Sequence, residues 1–107
     1  MASAFVKLEF YVPETHLEPV RQAVCQAGGG RFGGYDNCCW VTRGTGYFRP
    51  LPGSDPFLGK PGELTRVIEC KCEMICDREV LPAVLAVLRQ SHPYETPAFQ
   101  YWPVELE

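Results

Sequence analysis

Four consecutive residues, His92-Pro93-Tyr94-Glu95, place an imidazole and a carboxylate three positions apart around a proline. A histidine and a glutamate on such a corner could ligate a divalent metal ion, or could anchor a small molecule in a cleft together with Tyr94. The same residues also read as structure: His92 at the negative end of a helix, Pro93 enforcing the stop, and Tyr94 packing its ring. Arg49, flanked by Phe48 and Pro50, is the other candidate contact. Its guanidinium could clamp a carboxylate or phosphate through paired hydrogen bonds, or tie its own loop to Glu63, Glu69 or a neighbouring subunit. The candidate ligand-binding set is therefore Phe48, Arg49, His92, Tyr94 and Glu95, with His92 and Glu95 as the alternative metal ligands.

Sulfur offers a different chemistry. Cys70, Cys72 and Cys76 alternate with Met74 between them, so one strand face would carry soft ligands suited to Cu(I) or Zn. Cys-x-Cys on a strand lacks the turn that gathers ligands into a tetrahedron, and the same face is aimed at the core, where cysteine packs as a small hydrophobe. Cys38 and Cys39 are adjacent and point to opposite faces. The glycine-rich run Gly28 to Gly34 follows a helix instead of opening one, so it presents no helix N-terminus to a phosphate. His16 reads as a solvated surface residue. With His16 and His92 at opposite ends of the sequence, no Cys/His or Ser/His/Asp set is recognisable, and no catalytic residue is assigned.

The elements that must position these residues follow from periodicity. Val6, Leu8, Phe10 and Val12 alternate along a first strand over 4–12 that Pro13 ends. Thr15 and Glu18 have capping-box spacing ahead of a helix that buries Leu17, Val20, Val24 and Ala27, stopped by the triple glycine at 28–30. A second strand lies within 31–43, with an irregular start. Residues 65–76 form the clearest strand, with Ile68, Cys70, Cys72, Met74 and Cys76 on one side. A second helix over 79–91 carries Val80, Val84 and Val87, and begins near Arg78 if Pro82 is to fit. The last strand, 96–104, contains Pro103, which suits an edge.

The order strand, helix, strand, strand, helix, strand predicts an α+β, ferredoxin-like βαββαβ sandwich: a four-stranded antiparallel sheet with two helices on one face. Between the middle strands lies 44–63, in which nine of twenty residues are Gly or Pro. Its aromatics Tyr47, Phe48 and Phe57 predict an ordered loop folded against the body. The third strand would reach ~40 Å and the second helix only ~20 Å. Part of its sulfur-rich face must then be covered by the loop or by another subunit, which predicts a homo-oligomer.

The 107 residues, 46% apolar and 12% aromatic, predict a single domain with one core. A net charge of −3 without a basic cluster argues against nucleic acid and anionic membranes as partners. No apolar run approaches the length of a membrane span, and the first residues lack the features of a signal peptide, so a cytoplasmic protein with reduced thiols is expected.

Taken in order, YVPETHLEPVR, GGYDNCCW, GTGYFRPLPGSDPFLGKPGELTRVIE and SHPYETPAFQYWPV resemble the domain inserted in the YqfO subgroup of the NIF-three-like family, often labelled GTP cyclohydrolase type 2-like. The match runs from about Phe5 to Val104. The resemblance implies a fold similar to CutA and PII proteins, which form trimers, and so implies a homotrimer here. An HPYE-type segment also occurs in CutA proteins, which are linked to divalent cation tolerance. The family's hydrolase-like body and its dimetal site have no counterpart in these residues. The expectation is a non-catalytic trimeric binding or regulatory module without a cofactor, whose small-molecule or protein ligand is not named by the sequence. Its site would lie in subunit clefts between the loop and the His92 corner. A divalent-metal-binding protein of CutA type is the alternative, and a small hydrolase or cyclohydrolase-like enzyme the third reading.

Overall fold

The computed structural model describes residues 4–106. The chain runs β1 (Phe5–Pro13), a single 3-10 turn (Glu14–His16), α1 (Leu17–Gln26), β2 (Trp40–Phe48), β3 (Thr65–Asp77), α2 (Leu81–Ser91) and β4 (Phe99–Val104). All strand pairs are antiparallel in the order β2-β3-β1-β4, so the ferredoxin-like βαββαβ sandwich expected from the sequence is the fold observed.

Alternation along the strands decides which face is covered. Val6, Leu8, Phe10 and Val12 of β1 stand opposite Cys76, Met74, Cys72 and Cys70 of β3, and all eight are buried. Against them α1 sets Val20, Val24 and Cys25, and α2 sets Leu81, Val84, Leu85 and Leu88. Removing each large apolar side chain from water stabilises the fold by roughly 1.5–3 kcal/mol. The α2 stripe differs from the expected valine register. Leu81, Leu85 and Leu88 carry the contact with Val84, whereas Val87 is only half-buried. Pro82 falls in the first turn of α2, where its missing N–H breaks no helical bond.

The boundary between β2 and the loop is displaced from expectation. Gly44 to Phe48, placed in the loop on composition, pair with Glu69 to Thr65 as the second half of β2, and the loop begins at Arg49. Residues 31–39, expected to open the second strand, are instead turns with one isolated bridge between Phe32 and Tyr35. The capping box does not form. The helix follows the 3-10 turn with His16 at its N-cap, and the Thr15 hydroxyl pairs with His16 Nδ1 at 2.8 Å.

Gly30 holds the far end of α1 in place. Its φ of +76° suits glycine alone, its N–H donates to the Ile75 carbonyl at 2.9 Å, and its carbonyl accepts from Cys38 N–H at 2.9 Å. At the other end of the sheet β1 pairs with β4, so that Phe5 lies opposite Val104. Pro103 sits on this edge strand, where a missing donor is tolerated.

The helices leave part of the sheet uncovered. On the helix side, Val41 and Tyr47 of β2 and Ile68 of β3 remain 38%, 62% and 38% exposed. β2 is an edge strand whose residues are mostly exposed, including Trp40.

Candidate functional site

The loop after β2 folds back over the corner that follows α2. Phe57 lies edge-on to His16, with ring centroids 5.2 Å apart, and 6.4 Å from Tyr94; Phe48 is 5.8 Å from Tyr94. His16 is thus half-buried under the loop, not the solvated surface residue its position suggested. Glu95 ties the same loop down, accepting the Asp55 backbone N–H at 3.1 Å and 3.2 Å on its two oxygens. Ser54 Oγ donates to the Leu51 carbonyl at 2.7 Å and closes the turn between.

Between loop and corner is a cavity of about 190 Å³ walled by Phe48, Pro50, Pro56, Phe57, Leu58 and Tyr94, with Ser54, Glu95 and Thr96 supplying its few polar atoms. Of the five candidate residues, Phe48, Tyr94 and Glu95 meet here. Arg49 does not join them: it is exposed, lines no part of this cavity, and has no ion pair to Glu63 or Glu69 among the described residues. Ser54, Pro56, Leu58 and Thr96 were not singled out from the sequence. Only the length and aromatic content of the loop signalled the first three, and nothing signalled Thr96.

His92 borders the site from behind. It is 6% exposed, its ring lies 5.0 Å from that of Tyr94, Nδ1 accepts the Tyr94 backbone N–H at 3.1 Å, and Nε2–H donates to the Tyr11 carbonyl at 2.6 Å. An imidazole that accepts at Nδ1 and donates at Nε2 is neutral. Burial lowers its pKa, opposed by the bond to Tyr11 and assisted by His16. Both ring nitrogens are committed, so a metal at His92 and Glu95 would have to break one of these bonds. Among the described residues, no group of three or more His, Cys, Asp or Glu side chains is arranged to hold a metal ion.

Tyr94 carries a second electrostatic anomaly of the corner. Its hydroxyl is buried and, among the described residues, has no hydrogen-bond partner. Burial, followed by the nearby Glu69 carboxylate, pushes its pKa up to about 12. Glu69 is itself raised by burial; its carboxylate lies over Gly46, where any Cβ would collide with it. Gly46 of β2 therefore has a packing reason, since it admits Glu69, while Gly44 borders a polar recess of about 240 Å³ lined also by Tyr11, Thr42, Thr45, Glu69 and Lys71.

The cysteine face lies in the core. Cys70, Cys72 and Cys76 are buried free thiols, and burial raises all three, Cys76 to about 11. No helix among the described residues is long and apolar enough to cross a membrane.

Comparison with known proteins gives this geometry a lineage. No family model matches the chain. The GTP cyclohydrolase 1 type 2 homolog of Halalkalibacterium halodurans is 43% identical over 101 residues, 94% of this chain and 27% of that protein. Its counterpart in Bacillus subtilis is 42% identical over 99 residues, 92% of this chain and 26% of that protein. The chain thus spans about a quarter of the length of these curated relatives. Among solved structures, a Bacillus cereus protein related to NIF3 superposes with a TM-score of 0.83 at 34% identity, covering 99% of this chain and 27% of that one. CutA1 from Shewanella sp. SIB1 superposes with a TM-score of 0.71 over 100% of this chain and 87% of that one; at 14% identity this likeness is one of fold. The chain is a homologue of one CutA-like segment of the NIF3-related GTP cyclohydrolase 1 type 2 homologues.

Proposed function

We propose that this chain is a non-catalytic binding or regulatory module that works as a trimer and receives its ligand at the cavity between the 49–64 loop and the Tyr94–Glu95 corner. The observation that carries the reading is the cavity itself: apolar walls from two separate stretches, held together by the Glu95 carboxylate on the Asp55 N–H. Assembly is supported by Val41 and Tyr47 of the edge strand β2 and Ile68 of the neighbouring β3, exposed apolar residues on the helix side of the sheet. The non-catalytic reading is supported by the chemistry of the corner, where His92 and Glu95 are engaged with backbone groups and the cavity walls are mostly apolar.

The names of CutA neighbours from Archaeoglobus fulgidus and Thermus thermophilus raise a divalent cation as the alternative ligand. His92 is poorly disposed to take one, because both of its nitrogens already hold the backbone.

Sedimentation velocity on the wild type and on Val41→Lys and Tyr47→Lys tests the assembly. A trimer that the two substitutions weaken supports it, and a monomer at micromolar concentration overturns it. Native mass spectrometry of gently purified protein, compared with Phe57→Ala, tests the cavity. A retained small molecule lost in the variant is the expected result, whereas turnover of a nucleotide by repurified protein would overturn the non-catalytic reading.

A further inference from the structure

Three of the six thiols converge from different elements where the end of α1 lies over the start of β2. Extending the β2 register one step beyond Trp40 puts Cys39 opposite Met74, on the helix-facing side and diagonal to Cys72. Cys39 is half-buried and packs on the core cluster that includes Cys25 and Cys72. Above it stands Arg21, one turn before Cys25 on the same helix. Its guanidinium is held by Glu18, at 2.9 Å and 3.2 Å, and reaches Asn37 at 3.5 Å. So anchored, its charge acts on both Cys39 and Cys25, and the three thiols Cys25, Cys39 and Cys72 act electrostatically on one another.

A cation fixed against a sulfur cluster disfavours a bound metal ion and favours chemistry that passes through sulfur anions. Cys39 alone of the three is partly open to solvent. Of its two buried neighbours, Cys72 sits in β3, a strand hydrogen-bonded on both sides and the least able to move. Cys25 occupies the last turn of α1, next to the glycines that end it, and helix ends open at low cost.

We infer that Cys39 is a thiol-oxidation site whose sulfenic acid is resolved by Cys25, with a hydroperoxide as the oxidant. In the first step the Cys39 thiolate attacks one peroxide oxygen. The O–O bond breaks, sulfur is oxidised to the sulfenic acid, and the other oxygen leaves as an alcohol, or as water from hydrogen peroxide, after taking a proton from solvent. In the second step Cys25 sulfur attacks Cys39 sulfur. The S–O bond breaks, the S–S bond forms, and the departing hydroxide combines with the thiol proton of Cys25 to leave as water. Two electrons have passed from the thiol pair to the peroxide.

The test treats the full chain with dilute hydrogen peroxide, alkylates the remaining thiols, and reads a non-reducing tryptic digest by mass spectrometry. Peptides 22–31 and 32–43 should emerge covalently joined, and the join should survive Cys38→Ser but not Cys39→Ser. In Arg21→Gln the bond is expected to form about tenfold more slowly. A wild-type digest that shows unreacted thiols, a bond to Cys38 or Cys72, or oxidation stalled at sulfenic or sulfinic acid overturns the inference. That digest needs no variant to fold.

Discussion

His92 Nε2–H donates to the backbone carbonyl of Tyr11 at 2.6 Å, joining the turn after α2 to the end of β1 across 81 residues of sequence. Replacing His92 with Ala leaves a buried carbonyl and the Tyr94 N–H without partners, and should cost about 1–3 kcal/mol per orphaned group in urea denaturation.

The neutrality of the same ring makes stability depend on pH. Its folded pKa lies below the ordinary 6.5, so the unfolded chain binds the proton more readily. The contribution is therefore complete above about pH 6.5 and declines as pH falls towards the depressed folded value. Denaturation midpoints measured from pH 7.5 to 5 should fall for the wild type, and fall less for His92→Gln.

Tyr94→Phe should behave in the opposite way from an ordinary loss of a hydroxyl. Because the group is buried without a partner among the described residues, its removal is expected to be neutral or to stabilise by up to about 1 kcal/mol, measured by thermal unfolding. A clear loss of stability would show that the hydroxyl has a partner in solution.

Glu95→Ala should release the loop without unfolding the sheet. With the Asp55 N–H no longer held, amide exchange across 51–58 is expected to accelerate about tenfold, while β1 and β3 keep their protection.

Gly30→Ala should also destabilise the fold, through backbone strain and a steric clash. A Cβ there would lie 2.8 Å from the Cys38 carbonyl oxygen, in a left-handed conformation, and should cost about 1–3 kcal/mol or more by denaturant titration.

What could be read in advance followed the strength of local signals. The period-two run from Cys70 to Cys76 and the β1 alternation specified two strands and their buried faces, because a one-residue slip would turn every sulfur and valine to solvent. β2 was misjudged for the opposite reason. Gly44 and Gly46 weaken any local strand preference, and only long-range pairing with β3 and the space needed by Glu69 explain them. Thr15 and Glu18 had the spacing of a cap, but the 3-10 turn diverted the threonine to His16. At the site, Tyr94 and Glu95 were legible as a corner and Phe57 as a loop aromatic. Their meeting depends on how the loop folds back, which no local pattern encodes, and Arg49, chosen for its charge, lines no part of the cavity they form.

The pairing of Phe5 with Val104 bears on how such a unit travels between proteins. Because entry and exit are neighbouring strands at one edge, the whole sandwich can be spliced into a single surface turn of a larger chain without prising that chain apart. Recombination could thus add or remove it as a cassette, its cavity and thiols arriving already assembled.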